Sequence, residues 1–190
     1  MLSDHSEEIE SMKIVLIGIQ GAGKSTQGNL LSEKLGIPYL STGHIFRQIA
    51  KEKTRLGRYI KEVMNSGALI PDNKTLEIVS DYLKRPEYER GYIMDGFPRT
   101  IQQAKTFENG IDKVIYLKVS DEEALKRLSF RNGEGREDET PKAIAKRIAL
   151  FHEVTEPVIG FYREKGILID VHGENSIEEI HKEILEKIGK

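Results

Sequence analysis

The chain has 190 residues, a formal net charge of −2 and no cysteine. This length suits one domain with a single sizeable core, and the near-neutral charge does not favour a nucleic-acid partner. Without cysteine the chain has neither disulfides nor a thiolate zinc site, and no apolar run reaches the roughly 20 residues of a membrane span. We therefore expect a cytoplasmic protein with no zinc and no membrane partner. Residues 1–11 lack the basic start and apolar middle of a signal peptide, and we expect them to be disordered or an added leader.

Apolar runs alternate with helical patterns along the rest of the chain. The first run, KIVLIG at 13–18, is almost continuously apolar, as in parallel strands that are covered on both faces. Strand–helix alternation predicts an α/β fold, a doubly wound parallel sheet with helices on both faces and ligands at the carboxyl ends of its strands. The later runs are YIMDGF at 92–97, KVIYLKV at 113–119 and GILIDV at 166–171.

The first run leads into a phosphate-binding pattern. Residues 18–25, GIQGAGKS, fit G-x-x-x-x-G-K-[ST] between an apolar strand and an amphipathic helix. The glycines let successive N–H groups turn around an anion, and the new helix points its positive dipole end at the same place. Lys24 is predicted to reach the outer phosphates, and Ser25 to offer its hydroxyl to Mg²⁺. A Gly-rich turn with no ligand is the alternative interpretation.

The next segment, LSTGHIFRQIA at 40–50, places Arg47 about one turn after a helix start. A helix N-terminus with an arginine is a second anion site, although a purely structural helix start fits equally well. The region from Ser41 to Ile70 is helical in pattern and contains no strand-like run. It is therefore a candidate for an inserted flap.

The segment YIMDGFPRT at 92–100 continues an apolar strand into a turn. Asp95 stands where phosphate-binding loop proteins keep a carboxylate for magnesium and its waters. Arg99 projects from the turn, and Thr100 suits the N-cap of the helix that follows. Capping of the turn is the alternative interpretation of Asp95 alone, whereas Asp95 and Arg99 together favour a site.

Several arginines follow near a short polar loop. Arg127 and Arg131 lie four residues apart on one predicted helix face, Arg136 lies in the loop NGEGREDE, and Arg147 lies beyond it. Each arginine alone is more often solvated, but their density around one loop favours a site. The loop HGEN at 172–175, after the last apolar run, is placed to offer backbone groups to a base, or is an ordinary turn.

Taken together, these segments resemble the adenylate kinases, of the nucleoside monophosphate kinase family. The resemblance runs from about Met12 to the C-terminus, and its motifs fall in family order: GAGKSTQ, STGHIFR, DGFPRT followed by Gln103, and then Arg136 with Arg147. It implies a P-loop sheet of five parallel strands and reversible transfer of the γ-phosphoryl group of MgATP to AMP, giving two ADP. It further implies a P-loop core at 12–41, 71–130 and 142–190, an NMP-binding flap at 42–70 and a short lid at 131–141. The implied partners are ATP, AMP and ADP, and we expect a monomer.

The resemblance also assigns residues to each ligand. For magnesium it implies Ser25 and Asp95, partly through water. The residues implied for ATP are Gly21, Ala22, Gly23, Lys24, Ser25, Thr26, Arg127, Arg131 and Asn175. Those implied for AMP are Thr42, Arg47, Ala68, Leu69, Ile70, Gly96, Phe97, Pro98, Arg99, Gln103, Arg136 and Arg147. His44 stands where the family usually has aspartate, so the family's flap-to-lid contacts are not carried over to it.

The predicted constellation holds no strong candidate for a general base, and the reaction does not need one. The attacking oxygen belongs to the AMP phosphate, whose second pKa near ~6 leaves it mostly ionised at neutral pH. Two polyanions must meet in line, so the need is for positive charge. The predicted catalytic cations are Lys24, Arg99, Arg131, Arg136 and Arg147.

Two positions favour AMP over a pyrimidine monophosphate. Relatives that use pyrimidines have alanine in place of Thr42 and asparagine in place of Gln103. The Gln103 amide can pair with an adenine edge in both directions, and an unpaired buried amide penalises the wrong base. Another P-loop small-molecule kinase and a nucleotide-sensing module without turnover remain as rival interpretations.

Overall fold

The computed structural model describes residues 11–107, 110–130 and 138–190. Its sheet has five parallel strands in the order β2-β3-β1-β4-β5, so the predicted doubly wound α/β architecture is confirmed. The strands are β1 Met12–Ile17, β2 Tyr39–Ser41, β3 Gly91–Asp95, β4 Lys113–Lys118 and β5 Leu168–His172.

Helices connect the strands and cover both faces of the sheet. A 3₁₀ turn, Pro86–Tyr88, precedes β3. The α-helices are α1 Lys24–Leu35, α2 Thr42–Lys51, α3 Arg55–Asn65, α4 Asp72–Leu83, α5 Ile101–Thr106, α6 Asp121–Ser129, α7 Pro141–Leu150, α8 Glu156–Glu164 and α9 Ile177–Ile188. Within the described ranges, none of these helices is both long and apolar enough to cross a membrane.

The central strands are mostly apolar because helices cover them on both sides. Ile14 and Val15 of β1 are fully buried, and they pair with Ile93 of β3 and Val114 of β4 respectively. Burial on both faces removes the polar alternation that a half-exposed strand shows. The sheet therefore forms the centre of the core, and its carboxyl edge carries the loops that follow β1 and β3.

The short edge strand β2 has no counterpart among the predicted runs. It spans only Tyr39–Ser41, and of its residues only Leu40 is buried. A strand of three residues at a sheet edge is too short to show a period of two, so its hydrogen bonds with β3 define it. It ends at Ser41, whose hydroxyl accepts from His44 N and caps α2.

Residues 143–166 form one long helical pattern in the sequence, and Pro157 within it predicts a bend or break. A π-helical turn spans Phe151–Thr155 between α7 and α8. Proline has no N–H to donate to the preceding turn, which favours a break in the hydrogen-bond ladder there. This π turn places His152 between two carboxylates, since Nδ1 lies 2.6 Å from Glu156 Oε1 and Nε2 lies 2.9 Å from Asp121 Oδ1.

We expect His152→Gln to destabilise the fold in acid only. Hydrogen bonds with Glu156 and then Asp121 raise the pKa of His152 above its ordinary value. When folding raises the pKa of a histidine, its contribution to the stability of the fold is fully present below the unfolded-state pKa. This contribution is lost as pH rises through the folded-state pKa. The variant should lower Tm at about pH 5.5 and leave it nearly unchanged at about pH 9. The shift in acid should be only a few degrees, because solvent screens these partly exposed groups. Thermal melts at both pH values test this, and equal shifts would contradict it.

Candidate active site

A cleft with about 180 Å³ of space accessible to water opens at the carboxyl edge of the sheet. The loops after β1 and β3, the start of α1, helix α2 and helix α7 all reach it, because the ends of parallel strands meet at one edge. Most predicted site residues line this cleft: Gly21, Gly23, Lys24, Ser25, Arg47, Ala68, Leu69, Ile70, Asp95, Gly96, Phe97, Pro98, Arg99, Gln103 and Arg147.

The loop between β1 and α1 wraps around the ammonium group of Lys24. Its Nζ donates to Gly18 O at 2.8 Å and to Ile19 O at 3.0 Å. Gly21 and Gly23 have φ values of 93° and 88°, in the left-handed region that glycine adopts readily. A Cβ at Gly21 would also lie 2.6 Å from Ala124 O, so α6 leaves no room for a side chain there. The loop therefore presents backbone and one cation to the cleft.

Asp95, at the end of β3, has one anchored and one unpaired carboxylate oxygen. Oδ2 accepts from Tyr39 Oη at 3.0 Å, whereas Oδ1 is buried and has no hydrogen-bond partner among the described residues. An unpaired buried anionic oxygen is costly, and a cation or its waters would satisfy it. Ser25 lines the same cleft, so the site offers the oxygen ligands that Mg²⁺ prefers. These residues fit a magnesium ion that is held mainly by phosphates.

Across residues 11–107, 110–130 and 138–190, no group of three or more histidine, aspartate or glutamate residues is arranged to hold a metal. Magnesium in phosphoryl-transfer sites is bound through one or two carboxylates together with substrate phosphates, and needs no all-protein cage.

Arg99 is the centre of a group of guanidinium ions. Its Nε donates to Gly96 O at 2.8 Å. Burial lowers the pKa of Arg99 most strongly, Asp95 opposes this, and the positive charges of Arg147 and Arg47 lower it further. Guanidinium groups stay charged in proteins, so the shift reports crowding of like charges. An anion bound among them would relieve that repulsion.

Arg147 reaches the cleft from α7 and joins two other segments. Its Nη2 donates to Asp138 Oδ2 at 2.7 Å and to Met64 O at 3.0 Å. The two charged side chains are only 14% and 8% exposed, so this is a buried ion pair. Asp138 is thus paired with the guanidinium group that is predicted to bind a phosphate.

The amide of Gln103 is buried, with 2% of its surface exposed, and it has a protein partner at each end. Its Oε1 accepts from Arg99 N at 2.7 Å, and its Nε2 donates to Asp72 Oδ1 at 2.8 Å. The amide is therefore already paired within the protein at both of its polar atoms. These partners come from the loop backbone and from the start of α4. The Oε1 atom keeps a second lone pair and the Nε2 atom keeps a second N–H, and both remain for a ligand.

Comparison with known proteins identifies the family. The family model described as "Adenylate kinase" matches residues 16–167, most of the chain. The chain belongs to the adenylate kinase family. It is 36% identical to the adenylate kinase of Caldicellulosiruptor bescii, with 94% of this chain and 99% of that protein covered. It is 38% identical to the adenylate kinase of Archaeoglobus fulgidus, over 93% and 99% of the two chains. It is 39% identical to the adenylate kinase of Azobacteroides pseudotrichonymphae, over 93% and 97%.

The lengths of these adenylate kinase alignments differ. The C. bescii and A. fulgidus alignments run over 213 and 215 residues, which exceeds the 190 residues of this chain. The alignment with the A. pseudotrichonymphae protein runs over 186 residues. The first two adenylate kinases therefore contain residues with no counterpart here.

Some residues implied by the adenylate kinase resemblance lie outside the cleft lining. Arg127 points toward the loop, since a Cβ built at Gly23 would lie 4.0 Å from its Nη1, and its Nε bonds Glu123 at 2.8 Å. Asn175 is exposed in the loop after β5. Arg131 and Arg136 lie outside the described residues. Of the others, Ala22 and Thr42 are buried beside the cleft and Thr26 is exposed.

The adenylate kinase site also contains residues that sequence reasoning missed. Thr155 Oγ1 donates to Arg99 O at 2.9 Å, and Gln20 Nε2 donates to Glu139 Oε1 at 3.1 Å. Arg147, Phe151 and Thr155 all line the cleft, and they are spaced four residues apart. In a regular α-helix the side chains of the first and last of these residues would point in directions about 80° apart. The π turn, with its wider i→i+5 bonding, takes up part of that difference in direction. Pro157 was the sequence signal for this turn, but it does not show which residues the turn directs into the cleft.

Proposed function

We propose that this chain transfers the γ-phosphoryl group of ATP to AMP, reversibly and with magnesium, to give two ADP. One observation supports this most strongly. Arg47, Arg99 and Arg147 converge on the cleft that the Lys24 loop also lines, so positive charge is gathered where two nucleotide phosphates would meet. Such charge is what phosphoryl transfer between polyanions needs.

The proposed mechanism is electrostatic and positional. An oxygen of the AMP phosphate is the nucleophile, and with a pKa near ~6 it is already ionised at neutral pH. Lys24 binds the outer phosphates of ATP, while Arg99 and Arg147 bind the phosphates on both sides of the transferred group. Magnesium, held by Ser25 and by Asp95 partly through water, would neutralise the phosphate oxygens. Arg131 and Arg136, whose segment the structure does not describe, are assigned to the same cation group.

The remaining residues are proposed to place the two nucleotides. On the ATP side the loop residues Gly21 to Thr26 surround the phosphates, Arg127 approaches them from α6, and the Asn175 backbone lies near the adenine. On the AMP side the cleft is lined by Arg47, by residues 68–70 and by Gly96 to Arg99. Thr42 supports this wall, because its Oγ1 donates to Asp95 O at 3.2 Å.

We further propose an NMP-binding flap at 42–70 and a short lid at 131–141 on the core. Helices α2 and α3 form the flap, and the bond from Arg147 to Met64 O joins it to α7. The alignments that exceed the length of this chain support a short lid. Water is the competing phosphoryl acceptor, so the site must close before transfer, and we expect closure to limit turnover. Single-turnover chemistry no faster than steady-state turnover would contradict this.

An acceptor panel tests the proposed function directly. Purified protein is given MgATP with AMP, UMP, CMP or GMP, and the products are separated and quantified. We expect ADP from AMP at a rate far above the others. A pyrimidine acceptor used best would favour the other P-loop kinases, and binding of ATP and AMP without ADP formation would favour a sensing module. The same preparation tests the proposed monomer by sedimentation, and fractionation of cells tests the proposed cytoplasmic location.

We expect Gln103→Ala to raise KM for AMP at least tenfold while KM for ATP changes little. The amide lies on the AMP side and retains one donor and one acceptor for a base edge, and loss of hydrogen bonds to a polar substrate group costs about 1–3 kcal/mol. Steady-state kinetics with each nucleotide varied in turn measures both constants.

The neighbouring Gln102→Ala variant is the matched control for that experiment. Gln102 is exposed, and its Nε2 donates to Thr106 Oγ1 on the same short helix at 3.1 Å. It should leave both KM values unchanged. If Gln103→Ala raised both KM values equally, the amide would be acting on loop structure through Arg99 N and Asp72, and its role toward AMP would be wrong.

A further inference from the structure

The ring of Tyr39 fills the space between helix α1 and the end of β3. A Cβ built at Gly28, in the middle of α1, would lie 2.4 Å from Tyr39 Cε2 and 2.6 Å from Cδ2. No side chain fits at position 28 unless the ring moves, because real Cβ atoms essentially never approach so closely. Glycine is a poor helix residue, so its presence here is explained by this close approach.

The hydroxyl at the other end of that ring holds the Asp95 carboxylate. Tyr39 Oη donates to Asp95 Oδ2 at 3.0 Å, while Oδ1 is buried without a partner in the described ranges. A hydrogen bond to one oxygen fixes the rotation of the carboxylate plane. It thereby fixes where the unpaired oxygen lies.

The strand register brings these groups to one face of the sheet. Ser41 of β2 pairs with Asp95 of β3, and Tyr39 lies two residues before Ser41 on the same face. On α1, Gly28 lies three residues after Ser25, about one turn further along the helix. The tyrosine ring therefore separates the helix that carries Ser25 from the strand end that carries Asp95.

We infer that Tyr39 is a positioning residue for the divalent-cation site: its ring sets the spacing between Ser25 and Asp95, and its hydroxyl orients Asp95. The inference rests on the proposed function, in which those two residues serve magnesium. Partners that orient metal-binding carboxylates affect metal affinity even though they do not touch the metal. Gly28 is also part of this arrangement, because it leaves the space that the ring of Tyr39 fills.

Removal of the hydroxyl alone tests the inference. In Tyr39→Phe the ring and its spacing are kept, and the hydrogen bond to Asp95 is lost. We expect the affinity for Mn²⁺ in the protein–ADP complex to fall about tenfold, measured from the free-Mn²⁺ signal by electron paramagnetic resonance. The Mg²⁺ concentration for half-maximal activity should rise in parallel, with KM for AMP and Tm nearly unchanged. Equal Mn²⁺ affinity in Tyr39→Phe and the natural chain would overturn the inference.

Two further variants complete the experiment. Tyr162→Phe is the matched control, because it removes the hydroxyl of a buried tyrosine that has no hydrogen-bond partner among the described residues and does not line the cleft. It should leave Mn²⁺ affinity unchanged. Gly28→Ala keeps the hydroxyl but forces the ring to shift, so it should weaken Mn²⁺ binding as well. If Gly28→Ala fails to fold, Tyr39→Phe still decides the outcome.

Asp95→Asn separates this inference from the function on which it rests. We expect it to weaken Mn²⁺ binding more than Tyr39→Phe does. If Asp95→Asn weakens binding and Tyr39→Phe does not, the positioning role is wrong and the metal role of Asp95 stands. If neither variant weakens binding, both the inference and the metal assignment are wrong. If AMP kinase activity is absent from the natural chain while Mn²⁺ affinity still depends on Tyr39, the positioning role stands without the proposed reaction.

Discussion

Arg99→Ala is expected to lower kcat for ADP formation by about 10³, the lower end of the range for arginines that stabilise phosphoryl transfer in related P-loop enzymes. Its guanidinium group lines the cleft beside the charges of Arg47, Arg147 and Asp95, and a water molecule in its place would carry no positive charge. Because this charge acts on the phosphoryl group in the transition state of its transfer, the substitution should lower mainly kcat. Single-turnover and steady-state assays with MgATP and AMP measure it.

The backbone around Arg99 should survive the substitution. Its N–H remains bonded to Gln103 Oε1 and its carbonyl to Thr155 Oγ1, neither of which involves the guanidinium. Tm should therefore fall little. Arg163→Ala is the matched control, since Arg163 is exposed and pairs with Asp170 away from the cleft. A decrease in kcat below tenfold for Arg99→Ala would contradict the assigned role.

Lys24→Met is expected to lower kcat/KM for ATP by about 10²–10³, the effect of removing one preorganised donor from a transition state. Methionine keeps most of the length and volume of the side chain but has no charge. The ammonium group donates to Gly18 O and Ile19 O, and the loop at 18–23 contains no other lysine or arginine that could take its place. Kinetics with ATP varied at saturating AMP measure the effect.

Lys34→Met controls for the loss of a lysine from the same helix. Lys34 lies in the last turn of α1 and is exposed. It should leave kcat/KM unchanged within about twofold, as surface substitutions away from a site usually do. Equal losses in the two variants would show that general charge, and not the position of Lys24, is responsible.

The sheet could be predicted because its strands carry a signal in their own residues. β1, β3, β4 and β5 each coincide with a nearly continuous apolar run, and in β1 and β3 burial on both faces accounts for it. β2 was missed because a three-residue edge strand is defined by its partner and not by its composition. The π turn at Phe151–Thr155 was indicated only as a bend, since i→i+5 bonding has no residue preference of its own.

The candidate site divides in the same way between contiguous motifs and distant partners. Lys24, Asp95 and Arg99 could be predicted because loop, strand end and turn each hold several diagnostic residues in sequence. Their partners could not be predicted in this way. Asp138 reaches Arg147 and Tyr39 reaches Asp95 only when separate elements meet. The partners of the Gln103 amide show the same limit, because Asp72 lies 31 residues away.

The central claim is that lysine and arginine side chains surround the phosphates of two nucleotides that meet end to end. A crystal structure with a bisubstrate analogue, two adenosines joined through a polyphosphate chain, tests it most directly. We predict that the guanidinium groups of Arg99 and Arg147 bond the phosphate chain, that Arg147 has released Asp138, and that Lys24 Nζ contacts the phosphates on the ATP side. A structure with both adenosines bound but Arg99 and Arg147 turned to solvent, or with Arg147 still paired to Asp138, would contradict the account.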